Sequence, residues 1–204
     1  MPHYYDSDPN TESNRKNIAY RMNGINFDFV SDTNVFSRSE IDFGSNLMIE
    51  EMVKDIKAAE KKPQTFLDLG CGYGVVGIVM NSVFMGMTVT GVDVNARAVG
   101  LANENAKSNG VRASFIQSDG LAQIPEDQLY DAIATNPPVR AGKKTVFRFY
   151  EESFAHLNKG GAIYVVLQRK QGAPSTEAKL KELFGNCEVL GIDGGYRVMK
   201  SVKE

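Results

Sequence analysis

The chain has 204 residues and a formal net charge of −2, and 42% of its residues are hydrophobic, which is enough for a sizeable core in one domain. This charge excludes a protein that binds nucleic acid over its whole surface, so that any such surface has to be a local patch. We find no apolar run long enough for a membrane helix, no signal peptide, and no cysteine and histidine spacing typical of a metal site. We therefore expect a cytoplasmic protein without a bound metal.

The first predicted element is a β-hairpin. Residues 1–16 are polar, and we interpret them as a tail that is ordered only when docked. Apolar residues alternate with polar ones on both sides of Asn23-Gly24, which is typical of a two-residue hairpin turn. We therefore expect a hairpin with a connecting loop over 17–45, followed by the main domain over 46–204. The hairpin would cover a sheet edge or an open face, or help to shape a substrate entrance.

The connecting loop contains Phe36 and Arg38, which could lie over a bound ligand. Packing beneath the loop is the more common role for such residues. After the loop, an apolar face at helical spacing predicts a helix that ends at Lys61-Lys62-Pro63. The face consists of Ile49, Met52, Val53 and Ile56.

The segment 66–77, FLDLGCGYGVVG, contains the strongest chemical signal. A buried strand followed by glycines and by apolar residues at helical spacing indicates a loop that binds a nucleotide-type cofactor. Glycine is required there because the backbone has to turn sharply and approach the ligand without a Cβ. A tight turn without a ligand is the alternative. The loop residues that we expect to contact a cofactor are Gly70, Cys71, Gly72 and Gly74.

Two acidic residues indicate which cofactor this is. Asp68 would repel a pyrophosphate, whereas it suits the ammonium and sulfonium groups of S-adenosylmethionine (SAM). Asp93 ends the next predicted strand, where a carboxylate can accept hydrogen bonds from ribose hydroxyls. It could also cap the helix that follows. We therefore predict SAM rather than NAD, with Val94 and Asn95 beside Asp93 in the cofactor site.

Predicted strands and helices alternate from residue 64 onward. Strands are expected at 65–69, 87–93, 112–118, 129–135 and 162–167, helices at 74–84, 95–108, 144–157 and 174–184, and a final hairpin at 187–192 and 196–202. Repeated βα units imply an α/β fold with a doubly wound, mainly parallel seven-stranded sheet and helices on both faces. Ligands bind at the carboxyl ends of the strands in such Rossmann-like sheets.

Asn136, Pro137 and Pro138 follow the strand that we expect beside the glycine-loop strand. The two prolines remove two backbone donors and stiffen the loop, so acceptors remain: carbonyl oxygens and the Asn136 side-chain oxygen. Hydrogen bonds to these acceptors can hold an exocyclic amino group pyramidal and direct its lone pair at the SAM methyl group. Alone, the tripeptide favours a plain turn. In this context we predict that it is the catalytic loop and that Asn136 also contacts the cofactor.

With both motifs in place, the chain resembles the small-domain group of class I SAM-dependent methyltransferases. Within that group it is similar to the enzymes that methylate guanine N2 in small-subunit (16S) ribosomal RNA, the rRNA small subunit methyltransferase C type. The resemblance implies ribosomal RNA or the small ribosomal subunit as partner, and it implies Asp119 and Gly120 at the adenine. The other matching segments are His3-Tyr-Tyr, Val35-Phe-Ser, Asp42-Phe-Gly-Ser45, Val139-Arg-Ala-Gly-Lys143 and Lys170-Gln-Gly-Ala-Pro174.

Two features depart from this family. The position after Asn-Pro-Pro is often aromatic, but here it is Val139, so stacking on a flipped base has to come from Phe36 or from the segment 147–150. Some relatives have two domains, and the length of this chain leads us to expect RNA recognition by a single domain, its hairpin or a dimer. We leave open whether the protein is a monomer or a homodimer.

Basic residues follow the catalytic loop and form a candidate surface for RNA. Charges of this kind contact phosphates and do not identify bases. A solvated helix start is the alternative for any single residue. The predicted substrate-binding set is Phe36, Arg38, Val139, Arg140, Lys143 and Lys144, with further positive charge at Arg148 and at Arg169-Lys170.

Three other functions remain open at this stage. A protein glutamine methyltransferase would use the same amide chemistry, but Val139 and the basic residues oppose it. An NAD-dependent oxidoreductase is opposed by Asp68. A non-catalytic RNA-binding module of the same fold is opposed by intact acidic residues and Asn136, which such a module would not need.

Overall fold

The computed structural model describes residues 12–204. Most of the predicted tail, including His3-Tyr-Tyr, lies outside the described residues. Strands β1 (Lys16–Met22) and β2 (Ile25–Ser31) form an antiparallel hairpin. Asn23 and Gly24 have φ angles of 51° and 81°, as a two-residue turn with two left-handed positions requires. The predicted hairpin is confirmed.

Helices and strands then alternate through the main domain. In chain order they are α1 (Phe43–Ala58), β3 (Thr65–Leu69), α2 (Val75–Val83), β4 (Thr88–Asp93), α3 (Ala96–Ser108), β5 (Ala113–Gln117), β6 (Tyr130–Thr135), α4 (Lys143–Ala155), β7 (Leu157–Gln168), α5 (Ala173–Phe184), β8 (Glu188–Asp193) and β9 (Tyr196–Val202). Short 3-10 turns occupy Val139–Ala141 and Arg169–Gln171. Between residues 12 and 204, no helix is long and apolar enough to cross a membrane.

The central sheet has seven strands in the order β5-β4-β3-β6-β7-β9-β8. The first five strands in this order, β5, β4, β3, β6 and β7, are parallel to one another. Strand β9 is antiparallel to both of its neighbours, β7 and β8. One apolar cluster joins the sheet to α1, α2, α3 and the hairpin, and a second joins the opposite face to α4 and α5. The predicted doubly wound fold is confirmed. Its strand order reverses between β3 and β6, which is where open α/β sheets bind ligands.

The hairpin packs on helix α3. Asn105 accepts the N–H of Val30 and donates to its carbonyl oxygen, at 2.7 and 3.0 Å. One helical turn later, Asn109 makes the same pair of hydrogen bonds to Asp28, at 3.1 and 2.8 Å. The two amides therefore satisfy the free edge of β2, which would otherwise present unpaired backbone groups. The hairpin thus covers a helix rather than an edge of the central sheet.

Two boundaries differ from the prediction. Helix α1 begins at Phe43 because Asp42 caps it, so the helix starts before residue 46. Strand β7 begins at Leu157, where we predicted the end of a helix, and α4 ends at Ala155. Gly160, with a φ of 80°, bends this strand and still pairs with the carbonyl of Lys203. A glycine in a strand interior allows such a bend. Because Gly160 interrupts the apolar pattern, the sequence did not indicate that the strand begins before residue 162.

Candidate active site

A cavity of about 1030 Å³ lies at the carboxyl ends of β3, β4, β5 and β6, beside the point where the strand order reverses. It brings together residues that are far apart in the sequence. From the predicted cofactor and catalytic sets, the cavity is lined by Gly70, Gly72, Asp93, Val94, Asp119, Gly120, Asn136, Pro137 and Pro138. The predicted cofactor residues that do not line it are Asp68, Cys71, Gly74 and Asn95.

The glycine loop turns sharply at the end of β3. The backbone N–H groups of Gly70 and Cys71 both donate to the carbonyl oxygen of Val92, at 2.8 and 2.9 Å. Gly70 and Gly72 have positive φ angles, and a Cβ on Gly72 would meet no atom within 4 Å. The backbone here is therefore open to a close ligand. Gly74 serves packing instead, because a Cβ there would lie 3.1 Å from the Cβ of Ala102.

Asp93 connects this loop to helix α3. One carboxylate oxygen accepts the N–H of Gly72 at 2.8 Å, and the other accepts the N–H of Asn95 at 2.9 Å. Burial raises the pKa of the Asp93 carboxyl, and the backbone donors partly offset this rise. The helix cap itself is Asn95, which accepts from the N–H groups of Arg97 and Ala98. Asn95 is fully buried, whereas the half-buried Asp93 faces the cavity.

Asp68 lies behind the glycine loop. Its side chain is buried and accepts the N–H of Gly77 at 2.9 Å. Asp68 lines a neighbouring cavity of about 40 Å³, which it shares with Cys71, Asp42 and Asn136. Burial, reinforced by the nearby Asp93, raises the pKa of Asp68 to about 7. Burial also raises the pKa of the Cys71 thiol, so the thiol stays protonated near neutral pH.

The raised pKa of Asp68 predicts a pH-dependent contribution to stability. The folded protein binds this proton more tightly than the unfolded chain, whose Asp carboxyls titrate near about pH 4. This carboxyl therefore favours the folded state most at low pH, and that contribution is lost as the pH rises from about 4 to 7. Melting temperatures of the wild type and of Asp68→Asn should be compared over this range. The wild type should lose stability relative to the variant as the pH rises, and parallel curves would contradict the assignment.

The loop after β6 contains the predicted catalytic tripeptide. The carbonyl oxygen of Pro137 accepts the N–H of Val139, and that of Pro138 accepts the N–H of Ala141, both at 2.8 Å. The Asn136 side-chain nitrogen donates to the Asp42 carboxylate at 2.9 Å and to the Ser45 hydroxyl oxygen at 3.0 Å. Both of its hydrogens are therefore engaged.

Asp42 and Ser45 were missing from the predicted site. They lie more than 90 positions before Asn136, at the start of α1, where Asp42 caps the helix by accepting the N–H of Ser45 at 2.8 Å. The segment Asp42-Phe-Gly-Ser45 is one of those that carry the resemblance given above, but the resemblance assigned it no role. Local spacing gives no indication that this segment meets the end of β6.

Asp119 and Gly120 lie at the rim of the cavity. The Asp119 carboxylate is exposed and forms a two-point ion pair with the Arg148 guanidinium from α4. Arg148 holds the pKa of Asp119 below its usual range. Glu152, one turn further along α4, accepts the N–H of Leu121 at 3.0 Å. Helix α4 thus supports the rim loop that was predicted to contact adenine.

The predicted substrate residues divide into two groups. Phe36, Val139, Arg140 and Lys144 line the cavity, and Phe36 is exposed at its rim. Lys143 stands at the start of α4, with its ammonium 4.9 Å from the centre of the Phe147 ring. Arg38 does not line the cavity and donates to the carbonyl oxygen of Asn14 at 2.9 Å.

Aromatic side chains reach the cavity from several elements. Phe36 comes from the connecting loop and Phe149 from α4, whereas Tyr150 is fully buried against Thr176. Tyr196, from β9, also lines the cavity and packs on Phe43 with ring centres 5.5 Å apart. Tyr196 was not among the predicted residues, because it begins the last strand, far along the chain from both predicted motifs.

The residues present are suited to SAM. The backbone of the glycine loop is accessible to a ligand, and Asp93 presents an acceptor to the same cavity. A large cavity with a few convergent polar groups is typical of a small-molecule site. Within residues 12–204, no three His, Cys, Asp or Glu side chains are grouped so that they could hold a metal ion.

Comparisons with known proteins agree with this geometry. The family described as "Methyltransferase small domain" matches residues 26–200. The chain is 41% identical over 205 residues to the uncharacterized protein YbxB of Bacillus subtilis, covering 98% of each chain. It is 32% identical over 195 residues to the ribosomal RNA small subunit methyltransferase C of Idiomarina loihiensis, covering 92% of this chain and 53% of the relative. It is 29% identical over 178 residues to the ribosomal RNA large subunit methyltransferase G of Shewanella amazonensis, covering 84% and 44%.

A similar solved structure is the 16S rRNA N2 G1207 methyltransferase RsmC of T. thermophilus, in complex with AdoMet and guanosine. Its TM-score is 0.86 at 26% identity, and the match covers 96% of this chain and 52% of that one. The chain thus spans about half the length of these rRNA methyltransferases, but nearly the full length of YbxB.

Proposed function

The chain belongs to the methyltransferase small domain family, and we propose that it transfers the methyl group of SAM to an exocyclic amino group in ribosomal RNA. The proposed acceptor is N2 of guanine in the small-subunit rRNA. The similar T. thermophilus enzyme carries that specificity in its name, and its structure contains AdoMet and guanosine.

One observation carries this proposal: the glycine loop and the Asn-Pro-Pro loop line the same cavity. They follow β3 and β6, which pair side by side with Leu69 opposite Thr135. A cofactor held by the first loop therefore lies next to an amino group held by the second. This arrangement requires positioning of two reactants rather than a covalent intermediate.

The roles of the residues follow from their contacts. Bound SAM supplies an electrophilic methyl group on a sulfonium. Gly70 and Gly72 offer backbone that lines the cavity, with open space at Gly72, and Asp93 offers an acceptor for the ribose hydroxyls. Asn136, with both of its own hydrogens engaged, presents its side-chain oxygen as an acceptor for the target amino group. The amino nitrogen is thereby held with its lone pair available, and stabilisation of the developing positive charge favours the transition state.

The base has to leave its stack to reach Asn136, so the target guanine has to be flipped out or unpaired. In the absence of an aromatic residue at position 139, Phe36 and Tyr196 are the side chains that we assign to stacking. Both line the cavity, and they come from opposite ends of the chain. Stacking on such rings is tolerant of sequence, so it supports binding more than recognition.

The basic residues at the start of α4 are expected to bind RNA phosphates. The double variant Lys143→Ala/Lys144→Ala should weaken RNA binding and lower the slope of log affinity against log salt by up to about two, one for each lost contact. Turnover at saturating RNA should stay near that of the wild type, because neither lysine contacts Asn136. The matched control is Lys61→Ala/Lys107→Ala, which removes the same charge from exposed positions outside the cavity lining. Equal losses in both double variants would remove the assignment.

The function is tested by transfer of tritiated methyl from SAM to ribosomal RNA, free and in assembled subunits, followed by nucleoside mapping. Label on guanine N2 of 16S rRNA supports the proposal. Label on 23S rRNA would show that the substrate is the large-subunit RNA. Label on a protein glutamine would show that the substrate is a protein rather than RNA. SAM binding without any transfer would indicate a non-catalytic module.

A further inference from the structure

We propose that Asp42 and Ser45 are positioning residues that fix the orientation of the Asn136 amide and polarise it for methyl transfer. The inference rests on the proposed function for its catalytic part. The orientation itself follows from the contacts among the three side chains, which bring the start of α1 against the end of β6.

The orientation of the amide is determined by the chemistry of its partners. An ionised carboxylate can only accept hydrogen bonds, so the Asn136 side-chain atom that lies 2.9 Å from Asp42 has to be the nitrogen. The second hydrogen of that nitrogen points to the Ser45 hydroxyl oxygen at 3.0 Å. The amide is planar, so its oxygen is directed away from both partners. Without Asp42 or Ser45, the Asn136 amide could rotate and present its N–H groups, instead of its oxygen, to the substrate amino group.

Asp42 also supplies charge. An amino group that is being methylated becomes positive at nitrogen, and the positive end of the α1 dipole nearby opposes such a charge. Asp42 caps that helix end and donates nothing, so it places a full negative charge between the helix and the Asn136 amide. A hydrogen bond from the amide nitrogen to a carboxylate draws electron density toward the amide oxygen. The oxygen is then a stronger acceptor, and its hydrogen bond to the amino group strengthens most in the transition state, where the amino nitrogen becomes positive.

A purely structural role for Asp42 would predict something different. As a helix cap it would stabilise α1, and Asp42→Asn would change little, since asparagine caps helices equally well and keeps an acceptor. Asp42→Asn is therefore the informative variant, because it removes the charge and preserves the cap. Ser45→Ala removes one acceptor and keeps the backbone N–H that Asp42 binds. Its matched control is Ser39→Ala, at an exposed serine in the preceding loop.

The first test is kinetic and uses single-turnover methyl transfer at saturating RNA and SAM. Asp42→Asn and Ser45→Ala should each slow transfer about 10-fold or more, while SAM affinity and melting temperature stay near those of the wild type. In an Asn136→Ala background, Asp42→Asn should cause a much smaller loss than in the wild type, because the part of its effect that passes through the Asn136 amide is already gone. Additive losses, or an unchanged rate in Asp42→Asn, would overturn the proposal.

The second test does not depend on activity. In ¹⁵N-labelled protein, the side-chain NH₂ signals of Asn136, assigned with Asn136→Ala, should shift in Asp42→Asn and in Ser45→Ala. They should not shift in Ser39→Ala. If the wild type transfers no methyl group but these shifts appear, the proposed function fails and the orientation stands. If the wild type is active and the signals are unchanged, the positioning role is wrong.

Discussion

Replacing Asn136 with alanine is expected to slow methyl transfer about a hundredfold or more, the scale observed when one preorganised polar contact is lost. The loss should appear in the rate at saturating substrates, because the contact matters most in the transition state. SAM affinity should change far less, since the glycine loop and Asp93 hold each other through backbone bonds that do not include Asn136. Single-turnover kinetics and calorimetry on the same preparation measure the two quantities separately.

Two further variants sharpen this result. Asn136→Asp should rescue little, because it replaces the donor to Asp42 with a second carboxylate in the place where the two side chains lie 2.9 Å apart. Like charges at that distance repel, and the added charge also alters the electrostatics around SAM. Asn81→Ala is the matched control, at a half-buried asparagine that donates to Met87 and lies outside the cavity lining. A normal rate of methyl transfer in Asn136→Ala would show that the Asn-Pro-Pro loop is only a structural turn.

The fold was predictable because its signals are local. Alternating apolar residues around Asn23-Gly24 specify a hairpin with the correct turn, and glycines after β3 specify the sharp entry into α2. Repeated βα units then leave few possible topologies. One of the two boundaries that differ, the start of β7 at Leu157, lies where Gly160 interrupts the regular strand without ending it.

The candidate site was only partly predictable, since side-chain partners are chosen by tertiary packing. Glycines and acids at strand ends indicated the cavity, but no local pattern shows that Asp42 caps a helix and also binds Asn136. Arg148 lines the cavity, as expected for a residue of the basic cluster, but no local pattern shows that it pairs with Asp119. Arg38 binds the backbone of Asn14, although the sequence suggested a ligand contact. Such pairings join residues that are separated by 24 to 94 positions.

The position of Val139 shows what this separation means for function. The sequence lacks an aromatic residue beside the catalytic loop, which left the source of stacking open. The structure brings Phe36 and Tyr196 to the same cavity from the two ends of the chain. Packing of Tyr196 on Phe43, next to the capped end of α1, connects the proposed stacking surface to the residues that hold Asn136.

Replacing Asp93 with alanine is expected to weaken SAM binding roughly 10- to 100-fold, the consequence of leaving the partners of a buried polar group unpaired. Two effects should combine: the ribose would lose its proposed acceptor, and the N–H groups of Gly72 and Asn95 lose theirs. Calorimetry measures the affinity, with the exposed Asp127→Ala as the control. At saturating SAM the transfer rate should recover toward the wild type, because Asn136 and its partners are intact, in contrast to Asn136→Ala. Unchanged SAM affinity in Asp93→Ala, or tight binding of NAD by the wild type, would overturn the assignment of this cavity.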